Sequence, residues 1–461
     1  MRGRHRGGTE IIPRQGRGGG YHRLVNRLAV LLALAHVFGP STAAGATRAA
    51  ATPPVPAPGL AFAVTLEGSG ELLASGPFLL RVPGAKGTLR LELSRLAVEG
   101  ARLRGEARLR NDTGVLLAGL ALDFESALTT PAGAPGARTA TPVAVSLEEP
   151  LLFGELLAGE TTPRLSFEVA PVPLGHEVAL ATLLGAVRGL AVEPSFAVAG
   201  AVQPVALDTD RYGRLYVATG GVGRVLRLSA ANASAAASPA EAARPSPPPT
   251  GIALRRRNGD LFVSTGDRII QVHRPGRPRP ATLDAGRPVK TLRIDGKHVL
   301  RAASGNAVLA FDEAKAGPAR ALGPEGAEVV SFDADARGVV HAVVADGVGR
   351  RVAVSGASGP APFSARKGPG SDALDAPSAC RFDGEGTLWV SAVSGAPEGT
   401  VLARFLADGT PLVALSRLAL GLLLGKEEGA AVPAIVDLAP GADRGLTVLL
   451  EDGSVFAVRP F

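Results

Sequence analysis

Six segments in the second half of this chain follow one pattern, and no other feature constrains its fold as far. They cover 205–218, 252–264, 292–302, 331–343, 380–391 and 436–449. Most pass from an apolar run through an aspartate and a glycine turn to a second apolar run, such as LYVA (215–218) or LWVS (388–391). A third strand trails each segment, from RVLRL (224–228) in the first to SVFAV (454–458) in the sixth. The anchors Leu207, Leu254, Ile294, Phe332, Phe382 and Leu438 lie 47, 40, 38, 50 and 56 residues apart. A repeat of that period, built of several short strands, specifies a β-propeller. One such unit cannot bury both faces of its sheet, so the units stack around an axis and the ring has to close. The sixth unit reaches Phe461 without a fourth strand of its own. SFAVA (195–199), just ahead of the first repeat, is placed to supply that strand.

The region before the repeats also reads as β structure. Apolar and polar residues alternate in FAVTL (62–66), TLRLEL (88–93), EARLR (106–110), LALDF (120–124) and RLSFEV (164–169). Alternation with period two, broken by frequent turns, predicts a half-buried antiparallel sandwich over 59–172. An apolar stretch, 178–192, falls within a connector expected over 173–194. The expected fold class is therefore all-β, an N-terminal sandwich followed by a six-bladed propeller over 195–461. Two insertions interrupt the repeats. Residues 230–250 are low-complexity and predict a disordered loop, whereas LALGLLL (418–424) predicts a short helix covering one face.

Charge and apolarity at the start indicate export. The chain carries 49 Lys+Arg and 42 Asp+Glu, a formal net charge of +7. Residues 1–46 hold seven arginines and one acid, Glu10, so +6 of that charge belongs to a leader. Arg23 and Arg27 precede LAVLLALAHVF (28–38), and an A-x-A ending follows at 44–46. That order is a secretory signal, with cleavage expected after Ala46, and its apolar run is too short to span a bilayer. No later run would cross a membrane. The expected location is secreted or periplasmic, after a Pro/Ala linker over 47–58.

The repeat wording, Asp-x-x-Gly-x-Leu-Tyr-Val-Ala followed by Arg-Val-φ-x-φ, resembles the NHL-repeat and gluconolactonase-like class of six-bladed propellers. The turns RNDTG (110–114) and FGELLAGE (153–160) resemble those of bacterial immunoglobulin-like accessory domains. The first resemblance implies a divalent metal held in the channel by acidic and asparagine side chains, one of them serving as base. The asparagines after the leader are Asn111, Asn232, Asn258 and Asn306, and none matches a channel position.

The candidate residues fall into two groups. Asp208, Asp295, Asp333 and Asp383 follow the innermost strands, where a carboxylate sets a turn by accepting backbone N–H bonds. The alternative makes them a ring of oxygen ligands for a divalent cation such as calcium. Arg255, Arg256, Arg257, Arg274, Arg277 and Arg279 fall in two loops of the second unit and predict a positive patch. No aromatic residues interleave with them, which argues against nucleic acid. His341 falls where other units carry Tyr216, Phe262 and Trp389 and reads as packing, while His298 is expected at the register of Arg214. The sole cysteine, Cys380, excludes an intramolecular disulfide and reads as an inert core thiol.

The expected function is a non-catalytic binding or scaffold protein, needing no cofactor. Its propeller loops would take a protein or glycan at the cell envelope. The alternative is a metal-dependent lactonase or hydrolase of the gluconolactonase-like class.

Overall fold

Strict alternation shapes the first half of the chain. Along the strand Arg102–Asn111, Leu103, Ala107, Leu109 and Asn111 point inward, while Arg102, Arg104, Glu106, Arg108 and Arg110 take the alternate positions. The computed structural model describes residues 59–67, 77–131, 141–147, 151–172, 178–229, 239–312, 315–347, 349–355, 374, 376–394, 399–427, 430–441 and 445–461. The expected signal peptide and linker lie outside the described residues.

Two sheets face each other in the first half. One runs Phe78–Leu80, Leu89–Glu99, Arg102–Asn111, Leu165–Ala170, Ser146–Leu147. The other is built on Leu116–Pro131, with Leu60–Glu67 one strand removed. Their shared core centres on Phe124, which packs edge-on against Phe62 at 5.5 Å and across to Phe167 of the facing sheet at 5.6 Å. Burying each such side chain contributes about 1.5–3 kcal/mol.

The stretch expected as a connector contains a 15-residue strand, Val178–Val192. Residues apolar on both faces make it a buried central strand rather than a linker. It pairs with Leu60–Glu67 on one side and Leu116–Pro131 on the other. Its far end then pairs Leu190, Ala191 and Val192 with Pro460, Arg459 and Val458 of the last strand, Ser454–Pro460. One sheet thus runs from the N-terminal region into the final repeat. Phe196–Ala197 adds a second short pairing with Val455 and Ser454. The closing strand is accordingly longer than 195–199 and begins in the N-terminal sheet.

Among the described residues, inner strands follow in the order Pro204–Thr209, Gly251–Arg255, Leu292–Ile294, Glu328–Ala334, Pro377–Phe382 and Ile435–Pro440. Each pairs antiparallel with the next strand in sequence, and a third lies outside that. Apolar clusters fill the gaps between neighbouring units. One joins Phe262 to Leu300, and another joins Val352 to Val390. The cluster that joins Leu207 and Val217 to Ala439 and Leu449 brings the last unit against the first. The repeats therefore form a ring, and the chain is a β-propeller.

The insertions depart from expectation in one case and match it in the other. Ala240–Ala243, within the expected loop 230–250, is the fourth strand of the first unit and pairs with Arg224–Leu228, while residues 230–238 lie outside the described residues. Its alanines supply little pattern to read, and the neighbouring edge holds them by backbone pairing, with Ala243 buried in the cluster that contains Val225 and Ile252. The helix Arg417–Leu423 is present, capped by Ser416, whose Oγ accepts from Ala419 N at 3.0 Å and donates to Glu155 at 2.6 Å. Among the described residues no helix is long and apolar enough to cross a membrane.

Candidate functional site

The ends of the inner strands carry two layers of charged residues. In the upper layer, Asp210, Asp295, Asp335 and Asp383 each cap a turn. Their Oδ1 atoms accept backbone N–H bonds from the residues two and four positions on, at 2.8–3.0 Å. These turns end on a left-handed residue, which is Gly213, Gly338 and Gly386 in three of them. The third unit places His298 there instead, at φ +63°. His298 therefore corresponds to Gly213 and not to Arg214. A side chain is strained in that backbone region, which is why glycine is usual.

The lower layer binds one unit to the next. Asp208 Oδ2 accepts Leu254 N at 2.8 Å, and Asp333 Oδ2 accepts Phe382 N at 3.0 Å. Asp437 Oδ2 accepts Leu207 N at 2.8 Å, which carries the same device across the closure of the ring. The four aspartates expected in a single ring therefore divide, with Asp208 and Asp333 below and Asp295 and Asp383 above. The layers are two residues apart, and a strand has period two, so both present the same face and the pattern alone cannot separate them.

Two arginines are paired with the lower layer and a third lies beside it. Arg293, 2 % exposed, pairs with Asp437. Arg381, 4 % exposed, places Nη2 at 3.2 Å from Asp208 and Nε at 3.5 Å from Asp333. Arg256, just past its strand, donates to Thr209 Oγ1 at 2.8 Å and Pro440 O at 3.2 Å. Burial raises the Asp333 pKa, and the nearby Arg381 opposes that rise. Burial pulls the Arg293 pKa down, but Asp437, Asp333 and Asp208 together outweigh it and the net direction is upward.

The implied metal does not fit this arrangement. The oxygens of Asp208 and Asp333 already accept backbone N–H groups and face Arg381. Asp295 and Asp383 turn toward their own turns and toward Arg301 and Arg404. A cation would have to displace an arginine from each pair. Among the described residues no group of three His, Cys, Asp or Glu is placed to hold a metal ion.

Above the lower layer lies a cavity of about 360 Å³, whose lining includes Arg256, Arg381, Asp295, Asp335 and His298. At this end, the first four inner turns each expose a cation: Arg211, Arg257, Lys297 and Arg337. Tyr212, 60 % exposed, stands among them with the guanidinium of Arg211 4.7 Å from its ring centre. A second cavity of about 340 Å³ lies at the other end of the inner strands, beside Arg293 and Asp437.

The six arginines of the expected patch take three different positions. Arg255 and Arg274 both approach Asp260, at 4.0 and 3.9 Å, and Arg255 also lies over the Phe262 ring. Arg257, Arg277 and Arg279 are exposed. Arg256 turns inward to the cavity. Sequence reasoning missed Arg211, Lys297 and Arg337, because each is a lone cation in a turn rather than part of a run. Lys297 and Arg337 share one place in the repeat, two residues after the turn aspartate, but Arg211 stands one residue earlier and the first and fifth units carry Tyr212 and Glu385 at that place.

His341 is 2 % exposed and packs edge-on against Phe382 at 5.0 Å, with its pKa lowered to about 4 by burial. Cys380 is fully buried, and burial pushes its thiol up to about 12, which keeps it protonated and unreactive.

No family model and no curated protein matches the chain. Solved structures align over the fold. A streptogramin B lyase aligns with 12 % identity and TM-score 0.38, over 59 % of this chain and 98 % of its own. The PQQ-bound aldose sugar dehydrogenase of Streptomyces coelicolor aligns with 16 % identity and TM-score 0.41, over 59 % and 98 %. The WD40 β-propeller domain of Doa1 gives 11 %, 0.40, 58 % and 96 %.

Proposed function

We propose that this chain is an exported, non-catalytic binding protein, in which an immunoglobulin-like sandwich carries a six-bladed propeller of the NHL type. The turn face of the propeller binds an acidic glycan at the cell envelope. One observation carries this reading: the turns after the first four inner strands expose Arg211, Arg257, Lys297 and Arg337 at the end of the propeller where a cavity of about 360 Å³ lies. Exposed cations repeated along one face attract ligands of the opposite sign. Tyr212 adds a flat apolar surface on which a sugar ring can stack, braced by Arg211 and Arg214. The arginines at Asp260 extend the same face outward.

The mature protein, from Thr47 onward, should be retained on immobilised polygalacturonate and pass through neutral dextran. Retention should weaken steeply with salt, because exposed charges are screened within about 10 Å at 0.1 M ionic strength. A variant with Arg211, Arg257, Lys297 and Arg337 all changed to Gln should lose it. Equal retention on both matrices, or no effect of the four changes, would overturn the reading. Export is checked by the N-terminal residue of the protein recovered outside the cytoplasm, which should be Thr47.

A further inference from the structure

We infer that Tyr212 makes the turn face selective for an acidic glycan over an acidic peptide. The inference rests on the turn face being the binding face, and it names the side chain that sets the choice there.

The first inner turn holds this ring in place. Asp210, 6 % exposed, accepts the backbone N–H groups of Tyr212 at 2.9 Å and Arg214 at 3.0 Å, and also pairs with Arg214 Nε. The backbone under Tyr212 is thereby fixed, and the Arg214 guanidinium lies 5.1 Å from the ring centre. Arg211 places its guanidinium 4.7 Å from that centre and donates Nη2 to the Tyr212 hydroxyl. Cations so close to an aromatic ring attract it and restrain its rotation. With both in place Tyr212 is still 60 % exposed, and among the described residues no other Phe, Tyr or Trp is as open. A braced ring offers contact area that loses little freedom when a ligand covers it.

Charge alone does not separate the two ligand classes. Arg211 Nη1 donates to Arg257 O at 3.4 Å, which brings the second turn, with its exposed Arg257 side chain, beside the first. Exposed cations of this kind attract the carboxylates of a uronate chain and of a glutamate chain alike. The ring does separate them. A sugar ring is rigid and lays a flat face of C–H groups on an aromatic face, whereas a glutamate side chain must give up rotamer freedom to lie there. The third, fourth and fifth units carry Lys297, Arg337 and Glu385 at the place of Tyr212, so these turns contribute charge and no ring.

Binding of the mature protein to polygalacturonate and to polyglutamate of equal carboxylate number, at one low salt concentration, tests the inference. Polygalacturonate should bind about fivefold more tightly, as one stacked ring allows. Tyr212→Ala should abolish that difference by weakening polygalacturonate and leaving polyglutamate unchanged, with the same melting temperature. Tyr212→Phe keeps the ring and should keep the preference. Equal binding of the two polymers by the unaltered protein, an equal loss for both in Tyr212→Ala, or a preference that survives Tyr212→Ala would overturn the inference and leave the charged turn face standing. Tighter binding of polyglutamate would assign the face to an acidic peptide. Binding of neither polymer would overturn the binding face and the inference with it.

Discussion

The carboxylate of Asp437 accepts the backbone N–H of Leu207 at 2.8 Å, joining residues 230 positions apart. The same side chain neutralises Arg293, which is 2 % exposed. One aspartate thus ties the last inner strand to the first and balances a charge in the middle of the ring. Asp437→Ala would leave a buried arginine unpaired and an N–H without an acceptor, so it should lower the unfolding free energy by about 3–5 kcal/mol. Asp437→Asn keeps an acceptor for Leu207 and should cost less. Urea unfolding of both variants checks the order, and equal losses would count against the bond to Leu207.

Acid sensitivity should trace in part to His341. Its folded pKa of about 4 lies below the ordinary value of 6.5, because burial disfavours the charged ring. The unfolded chain therefore binds the proton more readily. Stability is highest above pH 6.5 and falls as the pH drops toward 4, by about 3 kcal/mol in all. His341→Phe restores the aromatic type that Tyr216, Phe262 and Trp389 supply at this register. Melts between pH 7 and 4 should show a smaller acid loss in that variant, and an unchanged profile would assign the sensitivity elsewhere.

Much of the ring was legible because its signal lies in side chains that must be buried. The apolar anchors, the Gly turns and the third strands recur at fixed intervals, and the strands Arg224–Leu228 and Thr400–Phe405 fall where the spacing puts them. Two kinds of feature were not legible. Ala240–Ala243 joins its sheet through backbone bonds, and alanine leaves little periodic trace of that. The strand Val178–Val192 is apolar throughout, so periodicity could not show that it pairs with three different strands. The site was harder still. Asp208 and Asp210 share a face, and only their partners, Leu254 in the next unit and Tyr212 in the same turn, tell them apart. Arg256 sat in a basic run, yet its direction depends on Thr209 and Pro440, which are distant in sequence.

Asn111 serves a turn rather than a modification. Asn-Asp-Thr at 111–113 matches a glycosylation acceptor, but Asn111 is fully buried. Its amide donates to Val115 O and Leu156 O, both at 2.8 Å, and its carbonyl accepts from Thr113 N and Oγ1 at 3.0 and 2.6 Å. Asn111→Asp would remove both donors and bury a charge, and should destabilise the protein by about 2–3 kcal/mol. Expressed through a glycosylating secretory pathway, the protein should show no added mass at Asn111. A glycan found there would contradict the burial.

A fragment starting at residue 195 tests whether the ring can stand without the sheet that precedes it. Cutting there removes Leu190, Ala191 and Val192, the partners of Pro460, Arg459 and Val458. It also removes Gly189, which exchanges two 3.0 Å backbone bonds with Phe461. Phe461 itself is 5 % exposed and belongs to the N-terminal core, so the cut would uncover an aromatic ring together with an unpaired strand edge. Exposed edges of that kind recruit other chains. The fragment 195–461 should aggregate or melt well below the mature protein, while the mature protein stays monodisperse. Light scattering and thermal melts compare the two. A monomeric fragment with an unchanged melting temperature would mean that Phe196 and Ala197, paired with Val455 and Ser454, are enough to close the ring.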